Sequence, residues 1–398
     1  MIDETQSLLI VILAAAIAPI IAGIVSENIR AVILPVVVVE LLLGVVIGPQ
    51  VLELASDTEL LGTFSDLGLG FLFFFAGYEI RFEKIKGNPL RLAVIGWLIS
   101  LVLAYSAAGA LHWAGVVISG LLTGSALVTT AIGTLIPIAR DEHLLEGEFG
   151  RNLLSIGAIG EFGPVLIVTV LLGAKSGAAE QLVLIAAFTV IVLLTALISA
   201  GIASRWFKFI NDRLEQSGQL PVRLTVLLVV ALIVLAADLG LDIILGAFAA
   251  GMITAMVIGD RGAKTFESKL EAVGFGFLIP FFFVMSGVNL DVASLFSGAD
   301  GIVKLAIFFV LMFVVRGVPV LFMYRGVVEP RERMPLALMA STQLPLVVAI
   351  TSIGLDTGEM VPTTAAALVS AAVLTVLVFP SLAIALLRRG ESPAADPA

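Results

Sequence analysis

The 398-residue sequence predicts an all-α polytopic membrane protein of about thirteen transmembrane helices. Three observations carry that reading. Hydrophobic residues make up 60% of the chain and charged residues 13%, with a mean hydropathy of +1.14, so no water-soluble fold has interior enough to hide the apolar side chains. These residues come in runs of the roughly 20 positions that, at about 1.5 Å per helical residue, span a hydrocarbon core. The charges that sum to -9 sit mostly in short segments between the runs and mark loops rather than an acidic surface.

In chain order, the opening MIDETQ puts Asp3 and Glu4 where a cleavable signal would be basic, so the first run, 6–26, reads as a retained helix. Further spans fall near 32–48, 60–80, 90–112, 115–139, 149–173, 180–204, 221–238, 240–258, 271–289, 301–324, 334–354 and 361–387. The last ends at Arg388 and Arg389, and 389–398 reads as a short disordered tail, with no fused nucleotide-binding domain expected. There is no cysteine, hence no disulfide framework or thiol chemistry, and His112 and His143 are too few for a histidine metal site.

Basic residues fix the expected orientation. Every second connection, from the first, holds Arg30; Arg81, Lys84, Lys86 and Arg91; Arg140 and Arg151; Arg205, Lys208, Arg213 and Arg223; Arg261, Lys264 and Lys269; Arg325, Arg331 and Arg333; then Arg388 and Arg389. The alternate connections hold Glu53, Asp57, Glu59, Asp291, Asp300, Asp356 and Glu359, with Lys175 and Lys304 as their basic residues. The N-terminus is expected outside the cell membrane and the C-terminus in the cytoplasm.

The chain also repeats itself. LGLGFLFFFAGYEIRFEKI from Leu67 resembles VGFGFLIPFFFVMSGVNLDVASL from Val273, on the third and tenth helices, which cross in opposite senses. That is the mark of an inverted repeat, with helices one to six and eight to thirteen as its halves and the seventh, Leu182 to Ser204, as linker. Chance likeness of two Phe-rich helices is the alternative.

Ionisable residues at mid-membrane depth carry the functional signal. Glu161 lies in LLSIGAIGEFGPVLIVTVLL, flanked by Gly157, Gly160, Gly163 and Pro164, and Arg316 in AIFFVLMFVVRGVPVLFM. A carboxylate on a pliable segment can hold either a proton or a hard cation, which makes Glu161 the candidate site for a monovalent cation and a proton. Arg316 is a permanent charge, read as a fixed counter-charge to Glu161 or as a tether between helices. The fifth and twelfth helices carry matching interruptions: Ser125, Thr129 and Thr130 among glycines, and Ser341, Thr342 and Gln343 before Pro345. Both read as broken helices whose ends aim dipoles at a midplane site, or more plainly as hydroxyl packing between helices. Glu40, Asp66, Asp238 and Asp242 are secondary candidates for an entry funnel. Glycine-rich stretches such as GLGLG lack the βαβ surroundings of a dinucleotide site.

LPVVVVELLLGVVIGP (34–49), FLFFFAGYEI, LGAFAAGM (245–252) and FLIPFFFVMSGVNLD together resemble the monovalent cation:proton antiporter 2 family of Kef-type potassium and sodium/proton exchangers, over nearly the whole chain. The resemblance implies an NhaA-type inverted repeat in which two discontinuous helices cross. Its dimerisation domain would comprise 1–89 and 221–300, its core domain 90–179 and 301–388, with 180–220 as linker helix and loop. It implies a homodimer, puts Thr129, Thr130 and Ser341 to Pro345 on the crossing helices, and gives Glu161 and Arg316 the places of the family's acidic and basic residues. The family usually carries Asp preceded by Asp, Asn or Gln where this chain has Gly160 and Glu161.

The function expected is exchange of Na+ or K+ for H+ by alternating access. With one mid-membrane carboxylate beside a permanent charge, one cation replaces one proton and exchange is electroneutral. A sodium-coupled organic anion symporter of the same architecture and a potassium channel are the rivals, although no TVGYG-like filter is present. No enzymatic role, cofactor or nucleic-acid partner is expected.

Overall fold

The computed structural model describes residues 4–28, 34–79, 87–172, 219–239, 243–258, 263–296 and 298–389. They form α1 (Glu4–Asn28), α2 (Val36–Ile47), α3 (Glu59–Glu79), α4 (Asn88–Trp113), α5 (Gly120–Leu127), α6 (Ile132–Asp141), α7 (Gly147–Leu172), α8 (Leu220–Asp238), α9 (Ile243–Ile258), α10 (Ala263–Val273), α11 (Ile279–Val288), α12 (Val292–Phe296), α13 (Ala299–Met323), α14 (Pro330–Ala340), α15 (Pro345–Asp356) and α16 (Pro362–Arg389). Among the described residues eight helical stretches are long and apolar enough to cross a membrane. The protein is a multi-pass, all-helical membrane protein. The linker span at 180–204 lies outside the described residues, as do Arg30, Arg81, Lys84, Lys86, Arg205, Lys208, Arg213 and Arg261 of the basic connections.

Surface chemistry agrees with a lipid solvent. On α1 the exposed residues Leu9, Leu13, Ile17, Ile20 and Ile24 recur every three or four positions, and α4 exposes Val94, Ile95, Leu98, Ile99 and Val102. In water such stripes would turn inward. In a bilayer they meet acyl chains, and small and polar residues are left to hold the helices together. Gly44 of α2 and Gly287 of α11 show how: a methyl on Gly44 would strike the Val284 carbonyl, and one on Gly287 the Leu41 carbonyl. Only a bare Cα lets these backbones approach so closely.

Packing divides the helices into two sets. α2 and α3 pack on α11, α3 also on α9, and α8 on α9; α13 packs on α16, α14 and α4, and α4 on α5 and α7. The sets meet where α7 lies against α3 and α9, with Phe162 stacked on Phe248 at 5.2 Å between ring centroids.

Connections of opposite charge gather at opposite ends. Gln50 donates to Asp291 at 3.0 Å, Asn289 to Asp57 at 3.1 Å and Ser119 to Glu359 at 3.2 Å, tying acidic connections together. At the other end Arg388 donates to both oxygens of Glu142 at 2.7 Å.

Two predicted spans are interrupted: α5 stops at Leu127 and α6 starts at Ile132, while α14 stops at Ala340 and α15 starts at Pro345. A further irregularity, a π-helical turn over Gly274–Leu278 between α10 and α11, has no counterpart in the sequence reading. Gly274 sits against the ring of Phe75, and Pro280 follows at the start of α11.

Candidate functional site

The two interruptions touch. Ala131 N donates to Thr342 O at 2.8 Å, Gln343 Nε2 to Leu127 O at 3.0 Å, and Thr130 Oγ1 to Ala340 O at 2.7 Å. Each bond satisfies a backbone group that the broken helix leaves without its own partner. Pro345 explains one break directly, since it has no N–H and disfavours helix at Leu344. The other arises because the Thr130 N–H leaves the helical ladder for Gly160 O at 3.0 Å on α7.

Arg316, 2% exposed on α13, clasps this crossing. Its Nε and Nη2 donate to Thr130 Oγ1 at 2.9 and 2.6 Å, and Nη2 also to Ile156 O at 3.3 Å on α7. Thr130 therefore has its single hydroxyl proton and both lone pairs engaged. The hydrogen bonds of Arg316 thus run to Thr130 and α7, the arrangement of a tether, rather than to the Glu161 carboxylate one turn further along α7. They also explain Gly160, since a Cβ there would lie 2.5 Å from Arg316 Nη2 and 2.6 Å from Thr130 Oγ1. At this position a longer side chain and the present seat of Arg316 exclude one another.

Glu161, 5% exposed, lines a cavity of about 620 Å³. One wall is α6, α7 and α15 through Gly133, Thr134, Ile138, Glu161 and Pro345; the other is α1, α2, α3 and the α10–α11 region. Gly133, Thr134 and Pro345 belong to the first turns of α6 and α15, so two helix N-termini with their partial positive charge border the space that Glu161 enters. The carbonyl ends of α5 and α14 are covered instead by Gln343, Thr130 and Trp97, whose Nε1 donates to Val128 O at 3.2 Å. The crossing thus presents donors to one side and closes off its acceptors.

A smaller cavity of about 240 Å³ lies between the same helix sets toward the acidic end, lined by Asp66 of α3, Asn289 beyond α11 and Asp356 of α15. On α15 the first cavity stops at Pro345 and the second begins at Val348, so the two are separated there by less than one helical turn, about 5 Å.

The remaining candidates are dispersed. Ser125 lies within α5 and shares a 2.9 Å hydrogen bond with Tyr105. Thr129, Ser341 and Thr342 turn their hydroxyls back onto Ala126, Ala337 and Leu338 carbonyls. Glu40 lines the large cavity and Asp66 the small one; Asp238 is exposed and lines neither, and Asp242 lies outside the described residues. Sequence reasoning missed Thr375 of α16, whose hydroxyl accepts from Gln343 N at 3.0 Å and has Ala372 O at 2.7 Å and Gln343 O at 3.1 Å as acceptors for its one proton, and Trp97. Neither had a signal, each being one polar group in an otherwise apolar run.

Comparison with known proteins identifies the family and the fold. Residues 12–389 match the family described as "Sodium/hydrogen exchanger, transmembrane". YjbQ of Bacillus subtilis is 26% identical over 98% of this chain and 64% of its own length. The Na(+)/H(+) antiporter NhaS5 of Synechocystis is 28% identical over 65% of this chain and 36% of its own, and the Na(+)/H(+)-K(+) antiporter GerN of Bacillus cereus 27% identical over 64% of this chain and 65% of its own. The chain thus spans between about a third and two thirds of the length of these relatives. The structure of the sodium proton antiporter MjNhaP1 from Methanocaldococcus jannaschii superposes with a TM-score of 0.64, covering 96% of both chains at 18% identity, which shows a shared fold. With nearly its full length matched, the chain belongs to the sodium/hydrogen exchanger family.

Proposed function

We propose that this protein is a secondary antiporter that exchanges Na+ or K+ for H+ across the cell membrane by alternating access, with Glu161 as the carboxylate that holds either ion. The observation that carries the reading is a buried glutamate lining a cavity that is bordered by two helix N-termini and backed by a clasped crossing. A carboxylate at this depth, lining a cavity, is able to hold either a proton or a hard cation, and in this reading it passes between the two states. The thin barrier between the two cavities supports alternation, since a small displacement of one helix set past the other would close one and open the other.

In this reading α4–α7 and α13–α16 form the core that moves, while α1–α3 and α8–α12 form the stationary part through which a homodimer assembles. Arg316 holds the crossing together and adds its field from behind. The cavity is lined by the middle of α1, the start of α2, the second half of α3 and the end of α10 on one side and by α6, α7 and Pro345 on the other. One carboxylate exchanging one ion for another makes the cycle electroneutral. The names of NhaS5 and GerN support Na+ and K+ as the ions.

The test is uptake of tracer Na+ and Rb+ into proteoliposomes driven by an imposed pH gradient, with membrane potential clamped. Uptake that collapses in Glu161→Gln and carries no current is expected. Uptake requiring an organic anion, or current without proton movement, would instead establish the symporter or channel reading.

A further inference from the structure

The large cavity holds a second buried carboxylate that the exchange at Glu161 leaves unused. Glu40 projects from α2, on the wall that faces α6, α7 and α15, and is 3% exposed. Among the described residues it makes no hydrogen bond and no ion pair, and its surroundings there are Leu34 to Val37, Phe75, Phe283 and other apolar side chains. Among the described residues the other ionisable groups lining the cavity are Glu161 from α7 and Glu271 from α10; the described parts of α1, α3, α6, α11 and α15 contribute none. Among the described residues no cationic side chain lines the space, yet three carboxylates do.

A charged carboxylate cannot remain without a counter-ion or a hydrogen-bond donor in apolar walls. Glu40 must therefore carry something mobile, and the cavity around it is large enough to admit a hydrated cation. We propose, resting on the antiport reading above, that Glu40 is a second monovalent-cation site on the stationary wall, where an arriving Na+ or K+ displaces a proton into the cavity water before passing to Glu161. Because α2 belongs to the helix set that does not carry Glu161, a proton or cation on Glu40 never crosses the barrier. Glu40 therefore raises the local cation concentration at one face of the protein and leaves the ion stoichiometry untouched.

Two measurements on the full chain test this. In oriented proteoliposomes, Glu40→Gln raises the apparent KM for Na+ presented from the cavity side about fivefold or more, the effect of removing one nearby negative charge from a poorly screened space. The KM from the opposite side and the absence of current are unchanged, and Glu40→Asp restores most of the loss. Equal KM values on both sides, or a shift of equal size from either side, overturns the proposal. A second readout needs no Glu40 variant: wild-type protein is reacted with an apolar carbodiimide, which modifies protonated carboxyls, and Glu40 is followed by mass spectrometry. Na+ at ten times its half-effective concentration lowers labelling of Glu40 about tenfold where choline does not, and does so equally in Glu161→Gln. Labelling indifferent to Na+ overturns the proposal. Loss of transport in Glu161→Gln separates the two readings: if that variant still exchanges ions, the assignment of transport to Glu161 fails, whereas normal behaviour of Glu40→Gln in an otherwise Glu161-dependent antiporter removes only the second site.

Discussion

Replacing Gly160 by alanine sets a methyl group into space that Arg316 and Thr130 already occupy. In an open helical position the exchange gains up to about 1 kcal/mol of helix propensity. Here the added Cβ lies 2.5 Å from Arg316 Nη2 and 2.6 Å from Thr130 Oγ1, so either strain or displacement follows. Overpacking of this kind costs about 1–3 kcal/mol. Moving the guanidinium aside instead gives up charge-assisted hydrogen bonds at about 1.5–3 kcal/mol each. Either route outweighs the propensity gain, and Gly160→Ala is predicted to destabilise by about 1–2 kcal/mol. Gly62→Ala on α3, where nothing lies within 4 Å of the added atom, is predicted to be neutral or stabilising. Arg316→Lys removes Nη2, so the double variant Gly160→Ala/Arg316→Lys is less damaged than the sum of its singles by about 1 kcal/mol. Unfolding by SDS titration in mixed micelles reads all four proteins. Additivity within about 0.5 kcal/mol, or equal effects at Gly62 and Gly160, refutes the argument that Arg316 dictates the glycine.

Other outcomes follow from the same geometry. Proton and cation competing for one carboxylate make the apparent KM for Na+ fall as pH rises, approaching about tenfold per pH unit at the acid end, and a KM flat across pH 5–8 would argue against a shared site. Thr375→Val leaves the buried Gln343 N–H without its hydroxyl acceptor, and a loss of about 1–3 kcal/mol in the same unfolding assay is expected, with Thr375→Ser largely neutral. Gly287→Val drives a branched side chain into the Leu41 carbonyl and abolishes folded yield, as seen by size-exclusion chromatography. Arg388→Ala removes an ion pair whose arginine is 65% exposed, and thermal stability shifts by less than about 1 kcal/mol.

How much of this was legible in the sequence depends on the kind of signal. Apolar runs, Pro345 and the polar trio before it revealed the helical class and the second break, because proline and clustered hydroxyls act locally. The first break was legible only approximately: Ser125 was grouped with it, yet the helix survives there and fails at Val128 to Ala131, where Thr130 N–H bonds to Gly160 O. That bond joins residues 30 apart and leaves no trace in local composition. Depth alone singled out Glu161 and Arg316, and both are buried. Depth could not say that Arg316 bonds to Thr130 and Ile156. Gly160 looked like a departure from a family pattern, and its reason is a side chain 156 positions away. The π-turn at Gly274–Leu278 was invisible because five apolar and glycine residues fit either helical form.

The central claim is that proton and cation movements are coupled through one carboxylate. It is tested most directly by following both ions together in proteoliposomes loaded with a pH dye and tracer Na+, K+ or Li+, for wild type and Glu161→Gln under a clamped potential. The account predicts one proton moved per cation in the wild type and neither ion moved in the variant. Cation flux without protons, or unchanged coupled flux in Glu161→Gln, would contradict it.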